Sequence, residues 1–183
     1  MVDGEALPAA AAAGIYLRGV DAGFVTYLAV RPDQRRRLRG RKLRAHLVES
    51  IRSEARRADG RDPRWTVGEV RRTSPWLRTL VRAGKAIPFD FPYFHPWMTR
   101  ANEGRYVLYR EPISDPRPEL PAEEVARLVF AIWRRAYRVR FPLQNEVFRY
   151  MLAEIEERGT VGCHPDFLDA APTLGAGASQ GRP

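Results

Sequence analysis

The chain has 183 residues, of which 44% are hydrophobic and 29% are charged, so it is long enough for one well-packed domain and short for two. Its 29 arginines and 2 lysines exceed 22 acidic residues, giving a net charge of +9, and guanidinium groups suit bidentate contacts to phosphate. A single cysteine, Cys163, excludes an intrachain disulfide framework and a thiolate zinc site. No apolar run reaches the roughly 18–20 residues of a membrane span, so a cytoplasmic protein without membrane contact is predicted.

The amino-terminal part predicts a hairpin followed by a long helix. Residues 1–13 are interpreted as a disordered lead-in, and a hairpin is predicted from Gly14 onward. Its second strand, over 24–30, is apolar on both faces and is therefore predicted to be central in a sheet. Apolar residues then recur at every fourth position from Leu43, which predicts a helix running to about Ala58.

The middle of the chain predicts shorter elements. A strand is expected over 65–70, followed by a short helix that begins after the cap Ser74 and ends at Gly84. The segment 87–96 contains three prolines, so it is expected to be an interrupted or edge strand. A clean strand over 105–110 completes this unit.

The carboxy-terminal part is predicted to be helical. Residues 112–121 form a proline-rich linker, residues 122–159 carry two amphipathic helical patterns, and residues 160–183 are interpreted as mostly disordered. Patterning leaves open whether these helices cover the sheet or bury themselves in a second subunit as a homodimer. Trp76 and Trp133 fit apolar helix faces and are interpreted as core residues.

The junction between the central strand and the long helix is the segment most informative about function. Eight of the fourteen residues over 31–44 are basic. The strand ends at Val30 and the helix begins near Gly40, so free backbone N–H groups and the helix dipole would form an anion site there. The sequence contains no glycine-rich stretch ending in Lys-Ser or Lys-Thr, which excludes a nucleotide-triphosphate loop.

This junction resembles the signature of the GNAT superfamily of N-acetyltransferases. The tripeptide VRP at 30–32 matches the family's strand end, and residues 35–40 match the loop that opens its long helix, with Leu38 in place of the first glycine. The order of elements over 24–110 is also similar. The resemblance implies an α/β fold over 14–111 with a mixed, mostly antiparallel sheet flanked by helices, followed by the two-helix extension.

The resemblance also implies an activity: transfer of an acetyl or related acyl group from acetyl-coenzyme A to an amine whose identity is unknown. In the family, the loop holds the pyrophosphate and the preceding strand end pairs with the pantetheine arm. The residues that would bind acyl-coenzyme A are therefore Leu28, Val30, Arg35, Arg36, Arg37, Leu38, Arg39, Gly40, Arg41 and Thr73. Leu80 stands where the family often has a tyrosine that protonates the thiolate.

Three residues are candidates for the group that removes the proton of the amine, a task that requires reach and a suitable pKa. They are Tyr27, Glu69 and His95. A structural interpretation stands beside each functional one, since Tyr27 fits a buried strand and His95 lies between Phe94 and a proline. No metal site is predicted.

The family has a strand and two helices before the hairpin, and they wall the acceptor site. Only about fourteen residues precede the hairpin here, so the chain is a shortened form or a fragment, or its carboxy-terminal helices replace that wall. Two other functions remain open: a catalytically degenerate GNAT-like protein that binds coenzyme A or a macromolecular partner, and a basic nucleic-acid-binding module. Nucleic acid is not favoured, because aromatic residues do not interleave with the arginines as a stacking platform requires.

Overall fold

The structure is a computed structural model that describes residues 8–34 and 40–170. In that part of the chain, no helix is long and apolar enough to cross a membrane. The strands are β1 (Ala10–Leu17), β2 (Ala22–Val30), β3 (Trp65–Arg71), β4 (Ile87–Pro88), β5 (Tyr106–Pro112), β6 (Leu120–Pro121) and β7 (Thr160–Val161). The helices are α1 (Gly40–Asp59), α2 (Pro75–Arg82), α3 (Ala122–Ala131) and α4 (Glu146–Arg158), and a π-helical turn, Ile132–Ala136, extends α3.

Five strands form one mixed sheet in the order β1-β2-β3-β5-β4. β2 and β3 are parallel, and the other neighbouring pairs are antiparallel. α1 connects the two parallel strands, as a crossover of that kind requires. The predicted fold class, a mostly antiparallel sheet flanked by helices, is confirmed, and β2 lies inside the sheet as predicted.

The two parallel strands separate towards their carboxyl ends. Their pairing begins at Ala22 and ends at the pair Val25–Gly68, although β2 continues to Val30 and β3 to Arg71. Beyond this point β2 keeps only β1 as a neighbour among the described strands. The sheet therefore contains a wedge-shaped gap between residues 26–30 and residues 69–71, which we call the cleft.

α1 lies close against one face of the sheet because glycines leave room for it. Ile51 and Ala55 of α1 are buried against this face. A Cβ atom added at Gly23 would lie 2.6 Å from Ile51 Cγ2, and one at Gly14 would lie 2.9 Å from Ile51 Cδ1. Both distances are shorter than an ordinary van der Waals contact between two carbon atoms. Because only glycine fits at these two positions, they determine how closely α1 approaches the sheet.

Gly23→Ala is therefore expected to lower the free energy of unfolding by about 1–3 kcal/mol, because the new methyl group overpacks the contact with Ile51. Urea denaturation followed by circular dichroism measures the change. Gly19→Ala is the matched control, since a Cβ atom there meets nothing within 4 Å. Equal stability of the two variants would contradict this account of the helix–sheet contact.

The predicted disordered lead-in is wrong for residues 10–13. They belong to β1, which pairs with β2 along its length: Ala10 lies opposite Val30 at one end, and Leu17 lies opposite Ala22 at the other. The alanine run carries no polar side chain to mark a strand, but strand pairing satisfies its backbone groups and Ala9 is buried beside it. Residues 1–7 lie outside the described part of the chain.

The predicted linker over 112–121 is packed against the domain rather than free. Arg64 forms an ion pair with Asp115 at 2.6 Å, and the guanidinium of the buried Arg110 donates to the carbonyl oxygen of Arg117. Burial lowers the pKa of Arg110 to about 10. The segment ends in β6, whose Leu120 is fully buried. Its prolines stiffen a path over the surface, which Arg64, just before β3, and Arg110 of β5 hold in place.

The predicted helices over 122–159 are confirmed, and they cover the sheet. α3 and α4 contribute Val125, Leu128, Phe148 and Met151 to the same core as residues of β2, β3 and β5. Trp133 is fully buried as predicted, whereas Trp76 is 39% exposed and is not a core residue. The sequence pattern left open whether these helices pack on the sheet of the same chain or in a second subunit. In the structure they pack on the sheet of the same chain.

The predicted disordered tail is wrong up to residue 170. β7 pairs with β6, Cys163 forms a β-bridge with Phe89, and a 3-10 helix spans Pro165–Ala170. Val161 is buried in the main core and Phe167 is fully buried beside α2, so these two apolar side chains anchor the segment. Residues 171–183 lie outside the described part of the chain.

Candidate active site

Glu69 lies at the narrow end of the cleft. It directly follows Gly68, the last residue of β3 that pairs with β2. Side chains alternate along a strand, so Glu69 projects from the same face as Val67, which packs beneath α3 and α4. Its side chain is only 8% exposed. A carboxylate this far from water needs hydrogen-bond donors around it.

Two tyrosines supply those donors. Tyr93 donates to Glu69 Oε2, and Tyr137, the residue after the π-helical turn, donates to Glu69 Oε1. Burial, followed by the negative charge of Glu69, raises the pKa of Tyr93 well above its ordinary value, and the same two causes raise the pKa of Tyr137. Both hydroxyl groups therefore stay protonated at physiological pH and remain donors to the carboxylate.

His95 is the third group at this carboxylate. Its Nε2 atom lies 3.2 Å from Glu69 Oε1. Carboxylate oxygens only accept hydrogen bonds, so this contact favours a proton on Nε2 and leaves the lone pair on Nδ1. The ring of Tyr106 packs edge-on against the imidazole with centroids 4.7 Å apart. Glu69 and its neighbours thus fix the orientation and tautomer of His95, as a carboxylate does for a histidine base.

A surface pocket of roughly 420 Å³ opens beside His95. We call it the aromatic pocket, and its lining residues are His95, Trp97, Met98, Asn102, Arg105, Tyr106 and Tyr137. Trp97 stands at its mouth with 71% of its surface exposed and packs edge-on against Tyr137 at 5.5 Å between ring centroids. The volume falls in the range of small-molecule sites, and the imidazole connects this pocket to the carboxylate at the cleft.

The structure brings two of the three catalytic candidates together and separates the third. Tyr27 is 57% exposed, so it is not the core aromatic that the sequence favoured. A register shift between Ala13 and Gly14 leaves Thr26 as an extra residue in β2. Tyr27, which pairs with Ala13, therefore lies on the opposite face of the sheet from Val25, which pairs with Gly14 and packs against Ile51 of α1. Tyr27 thus shares the face of the sheet with Glu69, but among the described residues it forms no hydrogen bond or ring contact with Glu69 or His95. Glu69 with His95 forms the candidate acid–base pair.

Among the described residues expected to bind acyl-coenzyme A, those of β2 and of the start of α1 lie across the cleft from Glu69, whereas Thr73 follows β3 on the same side as Glu69. Leu28 is exposed and Val30 half-buried at the end of β2. A Cβ atom at Gly40 would lie 3.6 Å from Val30 Cγ2, so α1 begins beside that strand end. Arg41 is exposed in the first turn of α1, and Thr73 is exposed in the turn after β3.

Five of the predicted residues fall in a part of the loop outside the described residues, and their role remains a prediction. They are Arg35, Arg36, Arg37, Leu38 and Arg39. The flanking basic residue Arg44 is not available to a phosphate, because it forms an ion pair with Glu111 on β5.

Sequence reasoning missed several residues of the site. Tyr93 and His95 are two residues apart in an extended segment, and Tyr93 forms a β-bridge with Tyr106, so period-two alternation could have indicated that both face Glu69. Tyr137 lies 68 residues from Glu69 and carries no local signal. Only the packing of α3 across the sheet brings it to the cleft.

Comparisons with known proteins give little beyond this geometry. No family model and no curated protein matches the chain. Among solved structures, the ribosomal-protein-S18-alanine N-acetyltransferase from Escherichia coli is similar, with a TM-score of 0.36 and 21% sequence identity, over 51% of this chain and 56% of that chain. The chain spans about half the length of the structure it matches. A likeness at this level says nothing of activity, and the fold class rests on the order and direction of the strands.

Proposed function

We propose that the protein transfers an acyl group from acyl-coenzyme A to an amine. The observation that carries this proposal is the cleft between β2 and β3, with Glu69 and His95 at its narrow end and the start of α1 at its wide end. Separated parallel strands leave an open strand edge inside a sheet, where sheet pairing would otherwise satisfy every backbone group.

The cleft suits the pantetheine arm and the phosphates of coenzyme A. Backbone groups of residues 26–30 that point away from β1 have no strand partner among the described residues, so they can bind the amide groups of an extended ligand. At the end of this strand edge, the first N–H groups of α1 and the exposed Arg41 offer hydrogen bonds and positive charge to an anion.

His95 would act as the general base. An acceptor that arrives as an ammonium ion first releases one proton to solvent, which frees the lone pair of its nitrogen. Acyl-coenzyme A supplies a thioester carbonyl, to whose carbon the neutral amine nitrogen bonds while the carbon–sulfur bond breaks and the thiolate leaves. The proton lost by the nitrogen passes to His95 Nδ1, and the resulting imidazolium is stabilised by Glu69 at 3.2 Å. Leu80 cannot donate a proton, so the sulfur leaves as a thiolate that is protonated from bulk solvent, and His95 returns its proton to the same solvent.

Calorimetric titration of the full chain with coenzyme A tests the binding step. Saturable binding is expected, and Gly40→Asp is expected to weaken it by about 10-fold, because a carboxylate at a helix start opposes a bound phosphate. Ser50→Asp places the same charge on the exposed middle of α1 and is expected to leave binding unchanged. Titration without saturation, or equal effects of the two variants, would contradict the proposal.

The same protein distinguishes the two other functions. Binding of coenzyme A without acyl transfer to any amine would identify a degenerate member. A gel shift with DNA or RNA that disappears steeply with salt, in a chain that does not bind coenzyme A, would identify a nucleic-acid-binding module.

A further inference from the structure

The aromatic pocket has a composition that favours a cationic group. Its wall consists of the rings of Trp97, Tyr106 and Tyr137 together with His95. Aromatic faces attract ammonium groups electrostatically. Trp97 packs against Tyr137 but is still 71% exposed at the pocket mouth, so most of its apolar surface is available to a bound molecule.

A buried negative charge lies directly behind this wall. His95 and Tyr137 line the pocket, and both also contact the carboxylate of Glu69. Because that side chain is only 8% exposed, its field is weakly screened by water. The inner end of the pocket is therefore electronegative, and an amine that enters as an ammonium ion is drawn towards His95.

The rim of the pocket has the opposite character. Arg105 lines it with an exposed side chain, and within residues 8–34 and 40–170 this guanidinium has no acidic partner at ion-pair distance. Asn102 beside it uses its side-chain oxygen to accept from the backbone N–H of Thr99 at 3.1 Å, which leaves the amide NH₂ group. The Arg105 guanidinium and this NH₂ group both donate, as recognition of a carboxylate requires.

We propose that the acceptor is a small aminocarboxylic acid, with its amine among the rings at His95 and its carboxylate at Arg105. This inference rests on the proposed function for the fate of the amine, but the binding of the acceptor does not require coenzyme A to be the donor. The opposite charges at the two ends of one pocket select a zwitterion over a simple amine or a simple acid.

The test is calorimetric titration of the full chain, with and without saturating coenzyme A. Glycine, 4-aminobutanoate and 6-aminohexanoate are the zwitterionic probes, and butylamine and butanoate carry each charge alone. At least one zwitterion is expected to bind roughly 10-fold more tightly than either singly charged probe, because a charge-assisted hydrogen bond is worth about that factor. Equal affinity for butylamine, or no binding of any probe, would overturn the proposal.

Two variants assign the carboxylate contact. Arg105→Gln is expected to remove the roughly 10-fold advantage of the zwitterion and to leave the affinity for butylamine unchanged. Arg82→Gln, an exposed arginine on α2 at the other face of the sheet, is the matched control and is expected to change neither. An advantage that survives Arg105→Gln would overturn the assignment.

The outcomes separate this inference from the proposed function. If the chain binds coenzyme A but none of the probes, the acyltransferase proposal stands and the proposal of an aminocarboxylic acid acceptor is refuted. If the chain binds a zwitterion through Arg105 but does not bind coenzyme A, the acyltransferase proposal is refuted and the assignment of the pocket stands.

Discussion

Replacing His95 by Asn is expected to lower kcat for acyl transfer by about 10²–10⁴-fold, the usual contribution of a positioned general base. Asparagine cannot accept the proton of the amine. The affinity for coenzyme A is expected to stay within roughly 2-fold, because His95 lies at the other end of the cleft from the start of α1. Steady-state kinetics with acetyl-coenzyme A and a primary amine, combined with calorimetry, measures both quantities.

Tyr27→Phe is the control for this result. Tyr27 is 57% exposed and forms no hydrogen bond with Glu69 or His95 among the described residues, so its hydroxyl group is expected to be dispensable and kcat to stay within roughly 2-fold. A His95→Asn variant that retains full activity would remove the imidazole from the mechanism. A large loss in Tyr27→Phe would instead restore the tyrosine as the base.

Trp133→Ala is expected to lower the free energy of unfolding by about 3–5 kcal/mol, the usual cost of removing a fully buried large aromatic side chain. Trp133 packs against Phe148 with ring centroids 4.7 Å apart and has no exposed surface. The loss is expected in one cooperative transition of the whole chain, because the core shares residues of α3, α4 and the sheet. Urea denaturation followed by circular dichroism and by tryptophan fluorescence measures it.

Trp133→Phe separates packing from polarity. The indole nitrogen of Trp133 is buried and has no hydrogen-bond partner among the described residues, so phenylalanine removes an unsatisfied donor while it keeps most of the apolar volume. The expected loss is smaller than for alanine, below about 2 kcal/mol. Separate unfolding of the helices and the sheet would show that residues 122–159 form an independent unit.

Local signals in the sequence were sufficient for most elements. Periodic apolar positions predicted α1, and the Ser74 cap and Gly84 delimited α2, whose Ser74 accepts a hydrogen bond from Leu77 and whose Gly84 has a φ of +64°. These features depend on neighbours within one turn, so the sequence is informative about them. The alanine run of β1 carried no comparable signal, because a strand of alanines is recognisable only by the partner with which it pairs.

For the site, the sequence by itself named Glu69 and His95 as separate candidates, and it indicated the anion-binding junction before Gly40. The tertiary structure decided that these two side chains share one buried carboxylate environment with Tyr93 and Tyr137, whereas Tyr27 is exposed and does not contact it. The physical reason is distance along the chain. His95, 26 positions from Glu69, arrives on the extended segment beside β5, and Tyr137, 68 positions away, arrives through the crossing of α3 over the sheet. No local propensity encodes either meeting.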